Sequence, residues 1–593
     1  MTKFSCSLIL PGLATLGCLL SPTVPALSAP TEAADFALLD QHGELHRLHY
    51  YSKDANTRAI VLFVQGNGCP LVRKQVPELK RLRSAFASQG VKFWMINANP
   101  QDTRAEIAAE SAEFEMDFPV LKDESQIVAR TLEIRRTAEV LVIDPANWQI
   151  RYRGAVDDRF SYGSRKSEAE HSWLKNSLEA LLAGNPVNTT ETRAAGCAIT
   201  FPDPDVTPTA YRETIAPLLK QNCVGCHTKG GIGPFAMSSY EKVNGWSDMI
   251  REVLMTRRMP PWQADPHVGH FGNDFSLTPE QTTTLVQWID AGAPRGEGED
   301  PLVSYRPELP EWQLGPPDFV VEIPEQKVEA EGVFDYRYVV VDAPNQQDVW
   351  LRGLETLPGN KRVLHHIIAS AVPPGGDIKK DRKALTGYAP GMGPDRMPEG
   401  TGILLKAGSK IVFQMHYTAS GKAETDRSRL GFYRAGAPPA KELHSGVLID
   451  HKFRIPPGDR AFAATKSRTF DKPVLLYSMN PHMHLRGKSM RYTARYPDGT
   501  EEVLLNVPDY RFDWQHSYEL KEPKPLPAGT QLSVKAVWDN SALNLNNPDP
   551  SQTVGWGDQT FNEMFYASFS FTDAEVLPPP APRTAAAEGI PKP

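Results

Sequence analysis

AIVLFVQGNGCP, residues 59–70, decides how the first part of the chain folds. Ala59 to Gln65 is an almost wholly apolar run of strand length, the pattern of a strand buried on both faces. Gly66-Asn67-Gly68 ends it, and Cys69-Pro70 opens a stretch, Val72 to Ser88, with helical periodicity and strong helix formers. Further strands are expected at Lys92–Asn97 (KFWMIN) and Val140–Asp144 (VLVID), with a closing helix over Ser172–Leu182. Strands alternating with helices imply an α/β sheet over residues 35–185.

Working outward, the 593 residues suggest about four domains at ~150 residues each. A hydrophobic share of 40% with 23% charged residues is enough for sizeable cores. The net charge is −7, with no Lys/Arg block, so nucleic-acid binding has nothing electrostatic to rest on. The 52 prolines favour loop-rich, β-rich architecture, because proline disrupts helix interiors.

The N-terminus reads as an export signal over residues 1–29. Lys3 precedes the apolar stretch Phe4–Leu20, and small residues follow at Ala26, Ala29 and Ala34. No later segment approaches the ~20 apolar residues of a membrane span. A periplasmic or secreted protein is therefore expected, without a membrane span once the signal is removed. Of six cysteines, Cys6 and Cys18 lie in the signal, Cys69 and Cys197 are isolated, and Cys223 and Cys226 form a pair. That is too few for a disulfide scaffold, so specific thiol chemistry is expected.

Residues 186–206, with Asn, Thr, Gly and Pro, read as a linker. Residues 207–297 are helical by pattern, through Tyr211–Gln221, Ser239–Arg257 and Pro279–Ala291. From 310 to 575 the pattern becomes strand-length alternating runs divided by turns such as Tyr496-Pro-Asp-Gly-Thr500, pointing to antiparallel β-sandwiches over 310–455 and 456–575. The tail, 576–593, is rich in Pro and Ala and expected to be disordered.

Cys223-Val224-Gly225-Cys226-His227 has the form of a c-type haem attachment site, in which the two thiols bond the haem and the histidine reaches the iron. Zinc would want a second ligand pair, and a redox dithiol normally sits between strand and helix. The Gly-rich loop that follows and Met259-Pro-Pro-Trp262 resemble small cytochromes c, which makes Met259 the expected sixth ligand, with Met255, His267 and His270 as rivals.

The histidines of the β-rich half fall into His365-His366, His416 and His482-Met483-His484, with Met564 beyond. A His-X-His pair on a strand puts both imidazoles on one face. Adjacent His365 and His366 need a bulge, or ligation through different ring nitrogens, to meet on one ion. Imidazole suits zinc, copper and nickel alike, and a thioether partner tilts the choice to copper.

Two resemblances follow. Residues 35–185 resemble thioredoxin or peroxiredoxin-like domains in the strand, Gly-Asn-Gly-Cys69-Pro turn and helix. They depart at Val72, in place of a second cysteine, at Ala138, in place of a cis-proline, and at Gly66, in place of a threonine. Cys69, at a helix N-terminus, is a candidate redox thiol, or a disulfide partner for Cys197.

The C-terminal half resembles the copper type II, ascorbate-dependent monooxygenases, the family of dopamine β-monooxygenase and peptidylglycine α-hydroxylating monooxygenase. The resemblance rests on Leu364-His365-His366-Ile367, Phe413-Gln414-Met415-His416-Tyr417, Asn480-Pro-His482-Met-His484-Leu-Arg486-Gly-Lys488 and Asn562-Glu563-Met564. It implies one electron-storing copper on His365, His366 and His416, and one oxygen-activating copper on His482, His484 and Met564. It also implies hydroxylation of an activated C–H bond in a small-molecule or peptide-like substrate by dioxygen. Asn480 replaces the arginine with which peptide-hydroxylating members hold a carboxylate, and Tyr566 and Ser568 replace their Asn and Tyr, which argues against peptide C-termini.

The expected cofactors are two copper ions and one covalent haem c. The haem would take the place of ascorbate and be recharged by an external electron donor. The alternative is a non-catalytic haem/copper electron-transfer or copper-binding protein. Expected overall are an α/β thioredoxin-like domain, an all-α cytochrome c-like domain and two all-β antiparallel sandwiches.

Overall fold

The structure, a computed structural model, describes residues 31–160, 166–201, 211–307, 310–389 and 391–575. The expected signal at 1–29 and tail at 576–593 lie outside the described residues.

The first layer is a seven-stranded sheet. Its order is Leu45–Arg47, Ala37–Asp40, Val120–Lys122, Val91–Asn97, Ala59–Val64, Val140–Asp144 and Gln149–Gly154. Ala59–Val64, Val91–Asn97 and Val120–Lys122 are parallel neighbours, as expected for strands connected by helices. Ala59–Val64 is buried throughout, for a reason visible in the packing. Ala59, Val61 and Phe63 share a core with Val72, Val76 and Leu79 of the helix Pro70–Phe86. Ile60, Leu62 and Val64 point to the opposite face, into an apolar cluster that continues through Tyr211, Leu219, Leu254 and Trp288.

Those last residues belong to the segment of helices Tyr211–Ile215, Ala216–Asn222, Tyr240–Gly245, Ser247–Met255 and Pro279–Asp290. Thr278 and Gln281 cap the last reciprocally, satisfying backbone donors that open its first turn. The helical stretch expected over 239–257 is divided at Trp246 (φ −110°, ψ 7°). The expected linker is no free spacer in its described part. Thr190 and Thr192 exchange backbone hydrogen bonds with Arg153 at 2.9 Å, and Ala198 bridges to Arg136.

The remainder is antiparallel β-structure. In the first sandwich, Arg337–Asp342, Lys410–Tyr417, Leu364–Val372 and Lys383–Tyr388 form one sheet, facing another built around Val349–Leu357 and Arg429–Arg434. In the second, His444–Asp450, Phe565–Asp573, Val474–His482 and Tyr518–Leu526 face Phe462–Thr469, Gln531–Trp538, Gly487–Arg495 and Glu501–Val507. The strand His444–Asp450 corrects the expected boundary at 455/456. Its whole length pairs with Phe565–Asp573, so it belongs to the second sandwich.

Polar contacts dock the layers. The Asp265 carboxylate accepts both terminal nitrogens of Arg104 at 2.8 and 2.9 Å and the amide of Asn506 at 3.2 Å, uniting three segments. Arg460 holds Asp54 through two further bonds, at 3.0 and 3.1 Å.

Candidate metal centres

His365 and His366 lie at the start of the strand Leu364–Val372, and His416 near the end of Lys410–Tyr417. In the pairing, Leu364 opposes Tyr417 but His366 opposes His416, so His365 is the extra residue of a β-bulge. The bulge lets neighbours in sequence turn to one spot. One ring nitrogen from each of the three histidines lies within 4.8 Å of the others. Nδ1 of His365 and Nδ1 of His366 are 3.2 Å apart.

Nδ1 of His416 is buried without a hydrogen-bond partner, a costly condition for a polar atom unless a ligand takes its lone pair. Burial lowers the pKa of all three imidazoles, to about 4 for His416, and the neighbouring rings depress His366 further. Neutral imidazoles with convergent nitrogens are what a soft or borderline cation requires.

The second group is built where a strand ends. His482 closes Val474–His482, and His484 lies past its end, so the two do not share a strand face as expected. The turn itself directs them, with ring centroids 5.3 Å apart and planes at 88°. Glu563 holds that turn. Completely buried, it accepts the backbone N–H of His484 at 2.9 Å, of Arg486 at 2.6 Å and of Met564 at 3.3 Å, plus the Trp538 indole at 3.0 Å. One oxygen, Oε2, takes both the His484 and Met564 amides, which ties the Met564 backbone to the His-X-His turn. Burial pushes the Glu563 carboxyl up to about 7 against the pull of these donors. Burial also lowers His482, to about 4, and His484. The backbone of Asn562 and Gln559 lies against the His484 ring and pulls its pKa up, against the larger effect of burial.

Phe512 touches one histidine of each group. Its ring stacks on His365 (4.8 Å, 15°) and meets His484 edge-on (5.7 Å, 83°). The same loop carries Gln515, bonded to Nδ1 of His482, and His516, whose Nε2 donates to the Pro261 carbonyl at 2.7 Å. Sequence reasoning missed Phe512, Gln515 and Glu563. Only Glu563 left a signal, in its position beside Met564.

In the helical segment, the turn Cys223–His227 is closed by the His227 N–H bonding the Cys223 carbonyl at 2.9 Å. Nδ1 of His227 lies 3.1 Å from the Phe235 carbonyl, which leaves Nε2 free, as in histidines that bind metals. Gly233 permits this approach, since a Cβ there would stand 2.8 Å from Nδ1. Burial pushes the Cys223 thiol up to about 12, which disfavours a reactive dithiolate. His227 opens on a cavity of about 470 Å³ lined also by Val224, Phe235 and Met237. Met259 is not in it. Met259 and Met255 line a smaller cavity against Arg104 and Lys122. Of the rival ligands, His267 lies 2.5 Å from Glu124, and the His270 carbonyl pairs with Lys521 of the second sandwich.

Cys69 caps the helix Pro70–Phe86, and its sulfur lies 3.6 Å from that of Cys197. Ala138, in the position expected to differ from the redoxin pattern, adopts φ +60°. Among the described residues, no helix is long and apolar enough to cross a membrane.

Comparison with known proteins agrees with the first layer. Residues 30–159 match the model of the AhpC/TSA family, so the N-terminal region is a thioredoxin-like α/β domain of that kind. Among solved structures, the chain is similar to a hypothetical protein from Sinorhizobium meliloti 1021, at 28% identity over 30% of this chain and 96% of that one (TM-score 0.27). It is also similar to an uncharacterized conserved protein from Geobacillus kaustophilus, at 29% identity over 30% and 94% (TM-score 0.26). A third is a secreted Mycobacterium tuberculosis disulfide oxidoreductase homologous to E. coli DsbE, at 12% identity over 24% and 95% (TM-score 0.19). No curated protein matches.

Proposed function

We propose that the chain is an exported copper-dependent monooxygenase, hydroxylating an activated C–H bond with dioxygen and drawing electrons through its own c-type haem segment. The observation that carries this reading is the pair of histidine groups, one on each sandwich, that meet at Phe512. The donor sets differ in a way that suits two tasks. His365, His366 and His416 offer three nitrogens in a close set, fit for an ion that only changes oxidation state. His482, His484 and Met564 would offer two nitrogens and a soft thioether, which favours Cu(I). The buried, partnerless Nδ1 of His416 fits metal ligation at the first place.

Bound copper would supply one-electron storage and oxygen activation. The residues supply the rest. Gln515 sets the tautomer of His482, Glu563 holds His484 and Met564 on one turn, and Phe512 packs against one histidine of each group. Cys223, Cys226 and His227 would hold the haem, with Nε2 of His227 toward iron. The loop that carries Phe512 and Gln515 also reaches Pro261 through His516, giving the helical segment and the histidine groups a shared element. Met259, facing another cavity, does not enter this reading.

The test is metal analysis with oxygen-18 labelling. Protein matured in a host that attaches c-type haem should hold two coppers and one haem, and should transfer one atom of labelled dioxygen to a C–H substrate when the haem is reduced. Full copper loading with reduced haem and no oxygen uptake across a panel of benzylic, phenolic and amide substrates would leave only the electron-transfer alternative.

A further inference from the structure

The expected linker ends against the redoxin layer with one cysteine turned to another, 128 residues away in sequence. Residues 196–199 form a short ribbon with 135–137. Cys197 O accepts the Thr137 N–H at 2.9 Å, the Ile199 N–H donates to Arg135 O at 3.0 Å, and Ala198 bridges Arg136. Gly196 makes the approach feasible, because a Cβ there would stand 1.5 Å from the Thr137 carbonyl oxygen. Thr137 binds both cysteines. Its hydroxyl accepts the Cys197 N–H at 2.9 Å and lies 3.1 Å from the Cys69 sulfur.

We propose that Cys69 and Cys197 are a reversible dithiol–disulfide couple that exchanges electrons with external dithiols, the linker cysteine taking the place that Val72 leaves empty in the redoxin turn. The two sulfurs are unequal. Cys69 is 4% exposed at the mouth of a helix, whereas Cys197 is open to solvent. Burial raises the Cys69 thiol, but the Thr137 hydroxyl and the Val72 and Leu71 amides outweigh it and hold its pKa below the usual thiol range. Burial and the neighbouring Cys69 push Cys197 up.

In the disulfide state, an external thiolate attacks the exposed Cys197 sulfur. The Cys69–Cys197 bond breaks, and Cys69 leaves as the stabilised thiolate, the better leaving group. The second thiolate of the external dithiol then attacks the mixed disulfide and releases Cys197, which takes up a proton. The protein disulfide gains two electrons, and the external dithiol becomes a disulfide. The reverse sequence, with an external disulfide as oxidant, closes the couple. Oxidation ties residues 196–199 covalently to the redoxin layer, and reduction leaves them on hydrogen bonds alone.

This proposal stands apart from the copper reading and is tested without metal turnover. The full-length protein is equilibrated in buffers spanning reduced to oxidised dithiothreitol, quenched with N-ethylmaleimide, and mapped by peptide mass spectrometry. The Cys69 and Cys197 peptides should lose alkylation together, as one two-electron couple, and appear as a single cross-linked peptide. In Cys197→Ser, Cys69 should stay alkylated throughout. Three results each overturn the proposal: both thiols alkylated in the most oxidising buffer, a disulfide closed in the most reducing one, or Cys69 oxidised equally in Cys197→Ser.

Discussion

Gln515 Oε1 stands 2.6 Å from Nδ1 of His482. The amide orientation is settled by its other end, since Gln515 Nε2 donates to the Phe512 carbonyl at 3.0 Å. Oε1 therefore accepts, His482 carries its proton on Nδ1, and Nε2 keeps a lone pair for a metal. Removing such a partner typically costs ~10–100-fold in metal affinity. Gln515→Leu should therefore weaken one copper equivalent by about that factor in a Cu(I) chelator competition. The equivalent held by His365, His366 and His416 should be unaffected. Unchanged affinity at both sites would mean the contact does not position the ring.

The two histidine groups should fail differently. His416→Ala leaves the His482, His484 and Met564 donors intact, so one copper should be lost while carbon monoxide still binds Cu(I) at the other. Met564→Ala should keep both histidine sets but weaken the infrared band of bound carbon monoxide. Indistinguishable variants in copper content and infrared spectrum would refute the division of labour.

Glu563 is a structural keystone by its contacts. Glu563→Ala strands four donors in a site with no access to water, the N–H groups of His484, Arg486, Met564 and the Trp538 indole. Each stranded donor costs about 1–3 kcal/mol, not additively, so a loss of about 3–5 kcal/mol is expected in urea unfolding of copper-free protein. Glu563→Gln, which keeps a carbonyl acceptor, should lose less. Equal losses would place the effect in charge, not in hydrogen bonding.

The five clustered imidazoles set a pH dependence with a definite sign. Their folded pKa values lie below the ordinary histidine value of 6.5, at about 4 for His416 and His482. The unfolded chain therefore binds more protons between those limits. Stability from this source is complete above 6.5 and is lost as pH falls toward 4, by up to ~1.4 kcal/mol per unit per histidine. Copper-free protein should show a falling urea midpoint from pH 7.5 to 4.5, with a shallower fall in His416→Gln. A flat profile contradicts the burial on which the assignment rests.

For the haem, replacing Cys223 and Cys226 by Ser should abolish covalent attachment, read as loss of haem stain on a denaturing gel, while copper content stays at two. Covalent haem surviving in the double variant would remove these cysteines from the role.

Local pattern settled much of this protein. The continuous apolar run Ala59–Val64 already required cover on both faces, and both faces are covered, one by the helix Pro70–Phe86 and the other by helices of the next segment. Alternation beyond residue 310 marked antiparallel sheets, because side-chain direction follows backbone period. The residue types at His365, His366 and His416 marked a metal-capable set, and the need for a bulge was legible from their adjacency.

Contacts that depend on closure over long sequence distances were settled only by tertiary structure. That His365 and His484 share Phe512 follows from how the two sandwiches pack, a matter of surface fit with no periodic trace. The turn that directs His484 is held by a carboxylate 79 positions away, so strand periodicity gave the wrong account of that pair. Cys197 looked like a residue in a spacer, and it reaches Cys69 because residues 196–199 zip onto 135–137 through backbone groups that any sequence possesses. Backbone hydrogen bonds and packing are blind to residue spacing, which is why a motif could name the ligands but not the residues that hold them in place.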